Sequence, residues 1–156
     1  MPQPNIHSRV DLACEQLETA IEIFLDRNSP VSALTLAGAA EEILGKEVNS
    51  LGGTNELMRR YEERCRLLPR AGIEPPALKD FVQKENDARN AAKHISARKD
   101  GGRAYDPFLR GNLRWEATRM ISRALTNARL LALPESEIWR RFDSWSLEQM
   151  IDHEEP

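Results

Sequence analysis

Apolar residues recur along most of this chain at spacings of three and four, the period of an α-helix that buries one face. The clearest case lies between about Ser8 and Arg27, where one face carries Val10, Ala13, Leu17, Ala20, Ile21 and Phe24. Similar patterns predict further helices at about 30–48, 54–68, 75–97, 108–133 and 135–150. No segment alternates apolar and polar residues as a half-buried strand does. The expected fold class is therefore all-α, an antiparallel helical bundle of five to six helices.

Proline, glycine and capping residues indicate where these helices begin and end. Ser29-Pro30 supplies an N-cap followed by proline in the first helical turn. Gly52-Gly53 ends the second helix, and Thr54 is the expected cap of the third. Pro134 ends the fifth helix, because proline cannot continue the backbone hydrogen bonds.

The second predicted helix is apolar on nearly all sides in its first half, which covers residues 31–44. A helix without a polar face must be covered all round, either centrally in a bundle or at a subunit interface. Ala37, Gly38, Ala39 and Ala40 would let another helix approach closely. A homodimer is expected, because few helices are available in a chain of 156 residues to cover this one.

Composition describes a single domain spanning residues 1–156, with 40% hydrophobic and 30% charged residues. No apolar run approaches the roughly 20 residues that span a bilayer. The first residues lack the basic start and apolar centre of a signal peptide. We therefore expect a cytoplasmic protein without membrane contact, which ends in a frayed acidic tail from about residue 151.

Charge and cysteine content limit the chemistry that the chain can carry. A net charge of -3 argues against nucleic-acid binding over the whole surface but leaves room for a local basic groove. Cys14 and Cys65 stand apart from each other and from histidine, so they predict neither a zinc site nor a disulfide, and both are expected in the core. We expect no metal and no cofactor.

The fourth predicted helix carries the most informative stretch, Arg89-Asn90-Ala91-Ala92-Lys93-His94. It combines a permanent cation, an amide and a side chain that titrates near neutral pH within an alanine-rich segment. These three groups are suited to handling a phosphodiester. The alternative is that both residues have purely structural roles. Arg89 would then form a buried ion pair, and His94 would donate hydrogen bonds to carbonyls at the end of the helix.

Helical spacing predicts which of these side chains share a face. Glu85 and Arg89 are four residues apart within the apolar arc, so Glu85 is the natural partner of Arg89, with Glu41 of the second helix as the alternative. Arg89 and His94 are about 140° apart around an ideal helix. One straight helix therefore cannot easily point both side chains at one phosphate, unless it ends or distorts near His94 or a second copy completes the site.

The spacing of Arg89 and Asn90 from His94, within a small helical chain, resembles the motif of the HEPN superfamily. Many HEPN proteins are metal-independent RNases of toxin or defence type that bring two such motifs together in a homodimer cleft. Others have lost catalysis. The resemblance implies attack of a ribose 2′-OH on the adjacent phosphorus to give a 2′,3′-cyclic phosphate. His94 would move the proton, Arg89 would neutralise the phosphate, and Asn90 would orient either group.

Further residues are expected to support that site. Asp87 and Lys93 flank the motif, and Glu41 is expected either as a plain partner for an arginine or as a residue that positions Arg89. Cations that follow the motif or lie on the fifth helix would form a positive rim that contacts RNA phosphates: Arg98, Lys99, Arg103, Arg110, Arg114, Arg119 and Arg123.

Two classes of function follow from this resemblance. The first is a metal-independent endoribonuclease with RNA as substrate and, in toxin-type members, an antitoxin protein as partner. The second is a non-catalytic HEPN-like module that binds RNA or nucleotides, or a helical interaction protein. Toxins paired with a nucleotidyltransferase commonly carry tyrosine two residues after the histidine, where this chain has Ser96. A nucleotidyltransferase partner is therefore not supported.

Overall fold

The computed structural model describes residues 6–93 and 111–152, and within these ranges every regular element is helical. The six α-helices are α1 (Arg9–Asp26), α2 (Pro30–Ser50), α3 (Glu56–Leu67), α4 (Leu78–Lys93), α5 (Leu113–Leu130) and α6 (Glu137–Asp152), and a short 3-10 helix at Leu68–Ala71 follows α3. The expected all-α helical bundle is confirmed.

Side-chain caps explain where three of the helices begin. The Ser8 hydroxyl accepts a hydrogen bond from the Asp11 N–H at the start of α1. Asn55 does the same for α3, because its Oδ1 accepts from the N–H of Met58 at 3.0 Å. The prediction that Thr54 caps α3 is therefore wrong by one residue. Asn112 caps α5, which begins later than the pattern of apolar residues indicated.

α2 lies at the centre of the bundle and packs between α1 and α5. Ala33, Ala37 and Ala40 are fully buried on it, and these small side chains allow the neighbouring helices to approach closely. Its opposite face is only partly covered, since Val31 is 44% exposed. The fully apolar pattern of this helix therefore reflects mainly its central position.

Aromatic residues attach α6 to α1. Trp139 and Phe142 are buried on α6, and the ring of Phe24 on α1 meets Phe142 and Trp145 edge to face. The guanidinium of Arg114 on α5 lies 4.7 Å from the centre of the Phe24 ring, which adds a cation–π contact. Three helices thus meet at one aromatic cluster.

α3 and α4 form the less buried side of the molecule. α3 has no fully buried residue, although Tyr61 packs its ring against Phe81 of α4 and donates a hydrogen bond to the Pro76 carbonyl. Cys65 on α3 and Cys14 on α1 are both partly exposed, so the expectation that they are core residues holds only in part. Burial, with smaller contributions from Glu18 and Asp11, raises the pKa of the Cys14 thiol.

Within the described part of the chain, no helix combines the length and apolar character that a bilayer crossing requires.

Candidate functional site

Arg89 crosses α2 at Gly38, where that helix has no side chain. Gly38 is buried there, and the Cγ atom of Arg89 lies 2.6 Å from the position that a Cβ atom on Gly38 would occupy. The Cδ atom lies closer still. The aliphatic part of the arginine therefore fills the space that any residue other than glycine would need.

Beyond Gly38, the guanidinium of Arg89 meets two carboxylates of α2. Its Nη1 atom is 3.7 Å from Oε2 of Glu41 and 3.9 Å from Oε2 of Glu42. These separations give electrostatic attraction, but they exceed the usual length of a hydrogen bond. The Nε and Nη2 atoms donate to Oδ1 of Asn90 at 3.3 and 3.4 Å. The first two motif residues thus form one polar group.

Glu41 is shared between two arginines. Its Oε1 atom accepts a hydrogen bond of 2.7 Å from Nη2 of Arg123, while Oε2 faces Arg89. Arg123 is 1% exposed and also donates to Oδ1 of Asn86 at 3.2 Å and to the Glu85 carbonyl at 3.1 Å. This buried cation therefore joins α5 to both α2 and α4.

Glu85 does not follow the prediction from helical spacing. Its carboxylate accepts a short hydrogen bond from Nη2 of Arg119 on α5, and Arg119 also lies 3.5 Å from Glu116. Arg89 instead faces Glu41 and Glu42, so the pairing of Glu85 with Arg89 is wrong and the alternative with Glu41 is correct. Glu85 therefore pairs with Arg119 on α5 and not with Arg89 on its own helix.

These contacts form a set of linked charged and amide side chains, which we call the polar network, and Arg123 joins its two halves through the Glu85 backbone carbonyl. Its side chains are Glu42, Arg89, Glu41, Arg123, Asn86, Glu85, Arg119 and Glu116. Four carboxylates face three guanidiniums, and the outermost carboxylate, Glu42, also meets Lys46 at 2.8 Å. Buried charges need partners of opposite sign with hydrogen bonds between them, and Glu41 meets that need for Nη2 of Arg123, whereas the buried Nε of Arg123 has no hydrogen-bond partner among the described residues.

The remaining predicted site residues divide into two groups. Asn90 is partly exposed and Asp87 is exposed on α4, while Lys93 is the last residue that the structure assigns to that helix. His94 lies outside the described residues, as do the RNA-binding candidates Arg98, Lys99 and Arg103. The structure therefore brings Arg89 and Asn90 together with Glu41 and leaves the histidine half of the motif undescribed.

The positive rim expected from α5 is wrong for Arg119 and Arg123, whereas Arg114 is exposed on that helix. Arg123 is buried and Arg119 is bound to Glu85, so neither presents a free cation to solvent. Arg114 stacks over the rings of Phe24 and Trp145. Arg110 lies outside the described residues.

The sequence contains a signal for the buried position of Arg123, which the expected positive rim does not take into account. Arg123 lies about 60° from Met120 around an ideal helix, at the edge of the apolar stripe of α5. Asn127, four residues on, shares that edge and is also fully buried. A cation and an amide on the flank of an apolar stripe are better explained as a buried polar contact than as a solvated rim.

The part of the chain that the structure describes contains no group of three or more His, Cys, Asp or Glu side chains that could hold a metal ion. A small groove of about 180 Å³ lies beside the motif between α4 and α5, and its lining includes Lys84, Asp87 and Glu116. A larger groove, of about 440 Å³, lies away from the motif between α5 and α6 and includes Trp115 and Met150.

No family model, curated protein or solved structure matches this chain. The HEPN resemblance therefore rests on residues 85–96 and on the helical layout alone.

The guanidinium of Arg89 is only partly hydrogen-bonded. A guanidinium carries five N–H donors, and acceptors among the described residues engage only the Nε and Nη2 groups, through Asn90. Glu41 and Glu42 hold the positive charge in place without forming hydrogen bonds of normal length to it.

Proposed function

We propose that this chain is a HEPN-like, metal-independent endoribonuclease that works as a homodimer. The observation that carries the proposal is the contact between Arg89 and Asn90, which forms one polar group at the edge of the bundle. Two carboxylates lie 3.7 and 3.9 Å from its Nη1 atom, beyond the length of a normal hydrogen bond, so a bound phosphate would compete with them for this guanidinium.

In the proposed reaction the ribose 2′-OH attacks the adjacent phosphorus while the bond from phosphorus to the 5′ oxygen breaks. A proton leaves the 2′ oxygen and another reaches the 5′ oxygen, so the products are a 2′,3′-cyclic phosphate and a 5′-hydroxyl. His94 carries one or both protons, and Arg89 neutralises charge on the non-bridging oxygens. Asn90 orients the guanidinium of Arg89, to which it is hydrogen-bonded.

The proposal includes a second copy of the chain for a geometric reason. Arg89 and His94 point about 140° apart on an ideal helix, so two motifs that face each other complete the site more readily than one. The groove of about 180 Å³ beside the motif is also smaller than typical ligand sites of about 300–1,000 Å³. An isologous interface would supply the missing wall, since it places each residue near its own symmetry mate.

RNA in the cytoplasm would be the substrate, with Arg98, Lys99 and Arg103 in contact with its phosphates. A toxin-type nuclease would also need an antitoxin to restrain it, and such a protein would cover the cleft that carries the motif.

One observation favours a second candidate function, a non-catalytic HEPN-like module that binds RNA or nucleotides. The Arg89 side chain is only 13% exposed, and two carboxylates already neutralise its charge. An arginine in this setting would stabilise the contact between α4 and α2 without turnover.

The deciding experiment is cleavage of single-stranded RNA in the presence of excess chelator, with the ends of the products analysed. We expect fragments that end in 2′,3′-cyclic phosphate. The His94→Ala variant should be inactive and fully folded. His7→Ala is the matched control, because His7 is exposed near the N-terminus, and it should cleave like the wild type.

Three outcomes separate the candidates. Full cleavage by His94→Ala rejects the catalytic assignment. RNA binding without cleavage across varied RNAs, together with a dimer by light scattering, supports the non-catalytic module. A monomer at every concentration tested rejects the shared cleft.

A further inference from the structure

We propose that Gly38 is a positioning residue for Arg89, and that its missing side chain fixes the path by which the guanidinium reaches the site. This inference rests on the proposed function for its effect on cleavage. The contact between Gly38 and Arg89 can be tested without any activity.

The first argument is the space that Gly38 leaves. An added Cβ atom would lie 2.6 Å from Cγ of Arg89 and closer still to Cδ, distances that real Cβ atoms essentially never show. These atoms lie in the middle of the arginine side chain, so they cannot move aside as a flexible end can. Any side chain at position 38 would therefore force Arg89 onto a different path.

The second argument is that the backbone of α2 gives no reason for glycine at this position. Gly38 lies in the interior of a regular α-helix, where glycine is less favourable than alanine. The glycines with positive φ in the described residues are Gly52, Gly72 and Gly111. The contact with Arg89 explains a glycine that helix propensity and backbone geometry do not.

The third argument is that the far end of Arg89 is also restrained. Oε1 of Glu41 is bound by the buried Arg123 at 2.7 Å, which directs Oε2 towards Arg89. Gly38 thus determines where the aliphatic part of Arg89 crosses α2, and Glu41 determines where its guanidinium lies. An arginine restrained at both points loses little conformational freedom when it binds a phosphate.

A purely structural role for Gly38 predicts a different result from a positioning role. If the glycine only allows close helix packing, its replacement by alanine should change stability and leave the turnover of folded protein unchanged. If it positions Arg89, the replacement should lower turnover even where the helix itself becomes more favourable.

The test compares Gly38→Ala with Gly45→Ala, a matched control in the same helix. A Cβ atom at Gly45 would meet Nδ2 of Asn127 at 3.2 Å and would not reach Arg89. For Gly38→Ala we expect kcat on RNA to fall on the order of a hundredfold with little change in KM, as a misplaced catalytic group does. Gly45→Ala should keep the kcat of the wild type. A folded Gly38→Ala variant with the kcat of the wild type overturns the proposal.

A second measurement is independent of cleavage. Thermal melting is compared for Gly38→Ala in the wild-type chain and in the Arg89→Ala chain, where no stem remains to be displaced. We expect Gly38→Ala to raise Tm in the Arg89→Ala background and to raise it less, or lower it, in the wild type. An equal change in both backgrounds, or failure to fold in both, overturns the contact. Absence of cleavage by the wild type would reject the proposed nuclease, whereas the melting comparison would still decide whether Gly38 positions Arg89.

Discussion

Glu41 and Arg123 form a buried ion pair of 2.7 Å that joins α2 to α5, and the second oxygen of the same carboxylate faces Arg89 on α4. One side chain therefore connects the core of the bundle to the helix that carries the motif. Its two arginine contacts differ in kind, since one is a hydrogen bond in the interior and the other is a longer contact near the surface.

Removal of Arg123 should be the most damaging change in the polar network. Arg123→Met leaves the buried carboxylate of Glu41 with only the longer contact to Arg89 and removes the donor to the Glu85 carbonyl. We expect a loss of about 3 kcal/mol in the free energy of unfolding, measured by denaturant titration. Arg66→Met is the control, because Arg66 is exposed on α3, and it should change stability by less than about 0.5 kcal/mol. Equal effects would contradict a buried role for Arg123.

A double-mutant cycle should identify the partner of Glu85. Glu85→Ala and Arg119→Ala remove the two ends of one ion pair, so we expect a coupling free energy of about 1–3 kcal/mol between them. The same cycle with Arg89→Ala should give a smaller coupling, because the nearest carboxylates to Arg89 are Glu41 and Glu42. A stronger coupling of Glu85 to Arg89 would restore the pairing that helical spacing predicts.

Asn127 should hold the start of α3 against the core. Its Oδ1 accepts from the N–H of Glu56 at 2.8 Å, and Asn127 itself is fully buried on α5. Asn127→Leu should cost about 1–3 kcal/mol and speed hydrogen exchange of the Glu56 amide, since that N–H loses its acceptor. Asn49→Ala removes an exposed acceptor of the Asn55 N–H and should have little effect. Unchanged exchange at Glu56 would show that the contact does not hold α3.

Acid should weaken the ion pair between Arg129 of α5 and Glu135, which lies just before α6. The hydrogen bond from Arg129 holds the pKa of Glu135 below its ordinary value of about 4.3. A lowered pKa in the folded state means that the charged form stabilises the fold above the unfolded pKa, and that this stability is lost as pH falls through the folded value. Near neutral pH, the free energy of unfolding of Glu135→Gln should thus be lower than that of the wild type. The loss should be less than about 1 kcal/mol, because the pair is exposed. The difference should vanish in acid, and a difference that persisted there would exclude this origin.

The spacing of apolar residues is sufficient to predict the helices, because it depends only on residues that are close in the sequence. Five of the six residues expected on the core face of α1 are buried and Val10 is partly buried, and Ser8 caps that helix where the pattern begins. The spacing of apolar residues places the start of α5 too early, because it does not show which residue supplies the cap. Asn112 decides it through a hydrogen bond to the Trp115 N–H.

The ion pairs of the candidate site were harder to predict, because each arginine had several carboxylates within reach along the sequence. Helical spacing favoured Glu85 for Arg89, but α5 places Arg119 against Glu85, and α2 places Glu41 against Arg89. The choice depends on which helices pack together, and that information is not local. The sequence identifies Gly38 only as a small residue, since nothing in it shows that an arginine crosses this position.

The polar network also determines how α4 is aligned with the helices beneath it. Apolar surfaces tolerate a slip of one residue or one turn at modest cost, because one methyl group can replace another. A row of opposite charges does not, since a slip of α4 would bring Glu85 and Arg89 out of reach of Arg119 and Glu41 together. The network therefore fixes the register of α4, the helix that carries the motif, relative to α2 and α5.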